Sequence, residues 1–244
     1  MLQGHEVLDS SGGRARQAGV RVTESAVKEV RRRLMQWWRL RGLNYSWRQW
    51  TDPWRILLAE ILLRKTNAEK VQRLIEDVVS VLHSPQAVLQ ASEEEIRMLL
   101  RPFGMQNRKA AELRGLAQVL VEKHSGRVPD SREELEDLPG VGRYIAGATL
   151  AVAYSKAEPA ADTNVVRAIV RIFGIAPSRK RPREDPQVWD LLRLLLPKSG
   201  AKQLLWALLD LGKKVCRPER PLCGDCPIEQ ICAHAAQGRL RSRS

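Results

Sequence analysis

Four cysteines, Cys216, Cys223, Cys226 and Cys232, lie close to the end of the 244-residue chain in a C-x6-C-x2-C-x5-C pattern. Thiols confined to one short loop can close around a metal centre once they are ionised. Two centres suit them: a single zinc held by four thiolates, or a larger [4Fe–4S] cube, which the uneven spacing fits at least as well. No secretory context favours disulfides. Two carboxylates also stand out. Asp162 occupies an N-cap position ahead of a helical run, where it can cap the helix and be held rigidly by doing so. Glu60 interrupts an apolar helical face between Ala59 and Ile61. A buried acid is costly without a partner or a task, so Glu60 is either paired with a nearby arginine or used in chemistry. Finally, Leu138-Pro139-Gly140-Val141-Gly142-Arg143 joins two helical segments. Its glycines permit unusual backbone angles, and the amides that open the second helix attract anions. A DNA phosphate is the natural guest of such a turn; an ordinary interhelical connection is the plain alternative.

The elements that must position these groups read as helices almost throughout. Val27, Val30, Leu34, Trp37 and Trp38 recur at helical spacing, as do Ile56, Leu57, Glu60, Ile61 and Leu63, then Val71, Leu74, Ile75, Val78 and Val79. Ser92 and Glu95 form a capping box before Ile96 and Leu99. Further helices are expected over 110–122, from the hairpin to 153, and over 165–173, 188–196 and 203–215. A basic loop spans 178–185, and residues 1–20 read as a disordered basic tail. Alternation of the kind strands need is scarce, so the expected class is all-α.

Lys and Arg number 41 against 28 Asp and Glu, a formal charge of +13. Such an excess favours a polyanionic partner, because neutralised phosphates release condensed counterions. Charged residues break every apolar run, which excludes a membrane-spanning class. No lipid-anchor motif supports a membrane surface. Without an apolar signal core near the start, the expectation is a cytoplasmic protein.

Taken in order, the hairpin Leu138-Pro139-Gly140-Val141-Gly142, the segment Ala160-Ala161-Asp162-Thr163-Asn164-Val165-Val166-Arg167, the cysteine loop and the helix from Asp52 to Thr66 cover residues 47–232. Together they resemble the helix-hairpin-helix/Gly-Pro-Asp superfamily of DNA glycosylases. The cysteine loop resembles its iron–sulfur branch, which includes endonuclease III, adenine glycosylases of the MutY type and thymine–guanine mismatch glycosylases. The resemblance implies a two-lobed fold: a helical bundle with the hairpin over 45–155, and a second lobe of 21–44 plus 156–244 ending in the cluster loop 216–232. It also implies a [4Fe–4S] cluster on the four cysteines, a basic cluster loop (Lys213, Lys214, Arg217, Arg220), and a monomer acting on double-stranded nucleoid DNA of a prokaryotic cell.

Asp162 matches the family's essential aspartate, which would stabilise the cation-like sugar as the base departs and orient a water. In endonuclease III–like enzymes a lysine stands eighteen positions before that aspartate and attacks the sugar as an amine nucleophile. Here that position is Tyr144, and a phenol cannot form an imine. The resemblance therefore implies a monofunctional enzyme that leaves an abasic site, with only such weak lyase activity as Lys65 or another lysine supplies. Glu60 matches a glutamate thought to protonate the leaving base in MutY-like enzymes. Arg64 and Lys65 stand where that branch has two glutamines that contact or enter the duplex, Arg64 with donors for an orphan guanine. Tyr144, the segment Gly104-Met105-Gln106-Asn107-Arg108-Lys109-Ala110 and the short stretch after Cys232 all resemble the mismatch branch. The expected substrate is thymine or uracil opposite guanine. Adenine removal opposite 8-oxoguanine or guanine is the second reading, and a non-catalytic iron–sulfur protein that binds distorted duplexes is the third.

Overall fold

The computed structural model describes residues 22–241, with side chains to residue 238; the tail expected over residues 1–20 lies outside the described residues. Among the described residues twelve α-helices and five short 3-10 turns carry the fold, and there is no strand. The all-α expectation holds because apolar residues recur at three and four positions. No helix among them is long and apolar enough to cross a membrane. The chain forms two compact units. One is Asn44–Ala160; the other joins the residues up to Leu43 with those from Ala161 onward, and so contains the first helix, α1 (Glu24–Arg41).

The Asn44–Ala160 unit is built on α2 (Pro53–Leu63), which is buried on nearly every side from Trp54 to Leu62. Asp52 caps it by accepting from Arg55 N at 2.8 Å, and Pro53 occupies the first turn. Leu57, Leu58 and Leu62 are fully buried. Burial of one such leucine is worth about 1.5–3 kcal/mol, against ~1 kcal/mol for a cap. Packing therefore decides where α2 sits. Around it stand α3 (Ala68–Val81), α4 (Pro85–Gln90), α5 (Glu93–Leu100), α6 (Gln106–His124), α7 (Arg132–Glu136) and α8 (Arg143–Ala153). α8 lies against α2, and its Gly147 lets the backbone of Pro159 approach, since a Cβ there would fall 2.1 Å from Pro159 O. The capping box is present: Glu95 N donates to Ser92 Oγ at 3.2 Å and Ser92 N to Glu95 Oε2 at 2.7 Å.

α6 begins four residues before the expected 110. Its first turn is Gln106-Asn107-Arg108-Lys109, polar in sequence, yet Lys109 is only 1% exposed. The Lys109 ammonium is buried because acceptors meet it: Thr66 Oγ1 at 2.8 Å, Phe103 O at 3.3 Å and Leu62 O at 3.4 Å. Burial first, and then the neighbouring Arg64 charge, push its pKa down to about 8.

In the other unit, α9 (Thr163–Phe173) packs on α10 (Pro186–Leu195), α11 (Ala201–Lys214) and α12 (Ala233–Arg241), while α1 covers α10 and α11. Asp210, buried on α11, accepts from Trp38 Nε1 at 3.0 Å and Leu43 N at 2.8 Å, which anchors the end of α1. Asp185 closes the basic loop: it accepts from Ser178 Oγ at 2.8 Å and caps α10 through Gln187 N at 2.9 Å. This satisfied pairing is what allows a carboxylate there to be fully buried.

Candidate active site

Asp162 is the N-cap of α9, in extended conformation and half-buried. Three N–H donors converge on its carboxylate. Oδ1 accepts from Asn164 N at 2.8 Å and Val165 N at 2.7 Å, and Oδ2 accepts from Asn164 Nδ2 at 2.8 Å. The Asn164 side chain is itself held, since Arg167 Nη2 donates to its Oδ1 at 2.9 Å. The same guanidinium donates to Gly212 O and to Cys216 O, each at 2.7 Å. A line of hydrogen bonds thus runs from the Asp162 carboxylate to the first cysteine. It depends on Gly212, where a Cβ would fall 2.7 Å from Asn164 Cβ and 3.0 Å from Asn164 O. No larger residue fits without parting α9 from α11.

The cysteine loop starts where α11 ends and is gripped by a second arginine of α9. Arg171 donates to Arg217 O at 2.6 Å and Pro218 O at 2.8 Å, and its Nη1 lies 3.6 Å from Cys216 Sγ. Cys216, Cys223, Cys226 and Cys232 all line one pocket, whose remaining wall includes the buried apolar residues Ile172, Leu211 and Ile228. None of the four is in a disulfide. Among the described residues no group of three or more His, Cys, Asp or Glu is arranged around a single point where one ion would sit. Burial pushes the Cys226 thiol up to about 12, with Cys232, Cys216 and Cys223 adding to the rise. Cys223 is raised by burial and then by Cys232 and Cys216. Four thiolates there need more positive charge than Arg171 alone provides, and a metal centre bound between them would supply it.

The hairpin lies in the Asn44–Ala160 unit between α7 and α8. Val141 N donates to Leu138 O at 3.1 Å, Gly140 has φ +77°, and Gly142 is the N-cap of α8. Having no side chain, Gly142 offers no internal acceptor to the first-turn amides, which is the arrangement an anion uses. Leu138 and Val141 are 3% and 5% exposed. Of the residues expected at DNA, these two can contribute only backbone, because their side chains anchor the turn to the core; Gly140, Gly142 and Arg143 are exposed. Arg132 braces the hairpin from below by donating to Glu136 Oε1 at 2.8 Å and Arg143 O at 3.3 Å.

The same unit carries Tyr144, half-buried in the first turn of α8, and Glu60, 9% exposed on α2. Arg64 and Lys65 follow α2, the first half-buried and the second exposed with φ +56°. Asp162 and the four cysteines belong to the other unit. The sequence reading did not single out Lys109, Arg132 or Arg171 and gave Arg167 no role. The only trace of the last pair was two arginines four apart on one helical face.

A family model described as HhH-GPD superfamily base excision DNA repair protein matches residues 58–193. The chain is 40% identical over 211 residues to a thymine-DNA glycosylase of Aeropyrum pernix, covering 85% of this chain and 95% of that protein. It is 37% identical over 203 residues to a thymine/uracil-DNA glycosylase of Pyrobaculum aerophilum, with 82% and 88% covered. Among solved structures, a thermostable thymine-DNA glycosylase superposes with a TM-score of 0.83 at 29% identity, over 87% of this chain and 98% of that one.

Proposed function

Since the chain belongs to the HhH-GPD superfamily of base excision DNA repair proteins, we propose that it is a monofunctional DNA glycosylase that hydrolyses the N-glycosyl bond of thymine or uracil opposite guanine. The observation that carries the chemistry is Asp162, a carboxylate fixed by three N–H donors. As the base leaves, positive charge grows on the sugar, and an oxygen already in place stabilises it without reorganisation. The same carboxylate orients the attacking water. The target is supported by the thymine and thymine/uracil glycosylases among the relatives.

The base must leave the stack to meet these groups. The hairpin amides and the exposed Arg143 and Lys65 hold the phosphates on either side, for which the +13 charge supplies long-range attraction. Tyr144 shapes the sugar pocket and, being a phenol, supplies no amine for strand cleavage. Glu60, buried on α2, assists the departing base. Cys216, Cys223, Cys226 and Cys232 hold a [4Fe–4S] cluster. The four sulfurs line one pocket, and their uneven C-x6-C-x2-C-x5-C spacing fits a cube at least as well as one zinc. When bound, the cluster supplies the positive centre that lets the thiolates coexist, and so fixes the loop. The enzyme works as a monomer on nucleoid DNA of the prokaryotic cytoplasm.

The test is a panel of T/G, U/G and A/8-oxoguanine duplexes incubated with the protein and then treated with alkali. Strand breaks in T/G and U/G that appear only after alkali are the expected result. Breaks before alkali would overturn the monofunctional assignment, and cutting confined to A/8-oxoguanine would replace the substrate.

A further inference from the structure

Two adjacent cations, Arg64 and Lys65, follow α2, and their surroundings differ sharply. Arg64 Nη1 donates to Gly140 O at 3.1 Å, and its Nη2 donates to Glu112 Oε2. The other Glu112 oxygen accepts from Arg108 Nε at 2.7 Å. Burial pushes the Glu112 carboxyl up, but its hydrogen bonds from Arg108 and Arg64 outweigh this and hold it below the usual range. Gly140 is the positive-φ residue of the hairpin, and a Cβ there would come 3.4 Å from Glu112 Oε2 and 3.6 Å from Arg64 Nη1. The turn therefore rests directly on the Arg64–Glu112 pair. Behind it, the Lys109 ammonium joins Leu62 O, at the end of α2, to Thr66 and Phe103. Lys65 sits between these two fixed neighbours, exposed.

We infer that Arg64 is a positioning residue that locks the hairpin turn to the end of α2 and reads no base, leaving Lys65 as the member of the pair that meets the duplex. Swinging Arg64 out to a base would forfeit two charge-assisted hydrogen bonds and leave a half-buried carboxylate with Arg108 alone. It would also remove the support beneath Gly140. Among the described residues Lys65 has no such tie to break. The inference rests on the reading of the chain as a glycosylase that grips DNA through its hairpin.

The experiment compares Arg64→Ala, Glu112→Gln, their double variant, Arg64→Lys and Lys65→Ala in the full-length protein. Each is titrated with duplexes carrying a stable abasic-site analogue opposite each of the four bases, and single-turnover excision is measured at saturating enzyme. If Arg64 is a strut, Arg64→Ala and Glu112→Gln each weaken binding by about tenfold. The loss is equal for all four opposite bases, the saturated excision rate is retained, and the double variant is no worse than the weaker single. Arg64→Lys restores part of the affinity. Lys65→Ala lowers the salt dependence of binding by about one counterion. A selective loss of guanine preference in Arg64→Ala, with Glu112→Gln binding normally, would overturn the inference. Should the protein excise no base at all, thermal unfolding still decides: the two substitutions lower Tm non-additively if the strut exists, and additively if it does not.

Discussion

The hairpin and the cysteine loop are both turns held from outside by arginines, yet they differ in what fills them. The hairpin is anchored by buried Leu138 and Val141 and propped by Arg64 and Arg132. Its geometry needs nothing beyond the chain. The cysteine loop is tied at its edge by Arg167 and Arg171, but its interior is four thiols, and burial and then neighbouring sulfurs raise Cys223 and Cys226. On the proposed reading its order is conditional on a bound centre. The proposed grip on DNA thus belongs to a self-sufficient region, and the proposed chemistry, through Asp162, is wired to a conditional one.

Four perturbations break or sharpen that contrast. The largest effect is expected from Asp162→Asn, which should lower single-turnover excision by at least about 10²–10³-fold while abasic-site duplexes still bind. Full activity in this variant would detach the chemistry from Asp162. Next, Cys226→Ser, or removal of iron by chelation, should strip amide-exchange protection from residues 216–232 and leave the hairpin amides protected, because a bound structural centre supplies folding free energy to its own loop. Equal loss in both regions would erase the distinction. Gly140→Val comes third. A β-branched residue at φ +77° carries a strain of about 1–2 kcal/mol, so DNA binding should weaken by roughly tenfold with the saturated rate unchanged.

The smallest effect concerns Lys109. Its folded pKa, about 8, lies below the ordinary 10.5, so between these values the unfolded chain binds the extra proton and stability rises with pH. The raised thiols act oppositely above their ordinary value of 9. The measurement is therefore the difference between the parent and Lys109→Met in urea-unfolding free energy. That difference should shift in favour of the parent from pH 8 to 10.5, and a flat difference would show that the ammonium is not desolvated.

What could be read in the sequence was local. The capping box at Ser92, the Asp162 cap, the hairpin glycines and the cysteine spacing each lie within a few residues, and the periodicity of α3 and α9 marks a face directly. What could not be read was polar and distant. Arg64 meets Glu112 48 positions away and Gly140 76 away; Arg167 reaches Cys216 across 49. Such pairs leave no periodic trace, and a buried Lys109 looks like any surface lysine until the acceptors from three segments are assembled around it. The same cause hid the first turn of α6, whose polar residues gave no apolar rhythm.

The line from Cys216 to Asp162 has a direction. Arg167 can only donate, so Asn164 must present its oxygen to Arg167 and its amide nitrogen to Asp162. The end of the line therefore accepts an oxygen with lone pairs and nothing else. An amide at position 162 could keep one face as a cap, but its nitrogen would confront the Asn164 nitrogen; turning Asn164 over would only move the clash to Arg167. In the language of information, the fold writes the identity of residue 162 into a one-way wire. Chemical drift at that position is penalised by the scaffold even before any substrate binds.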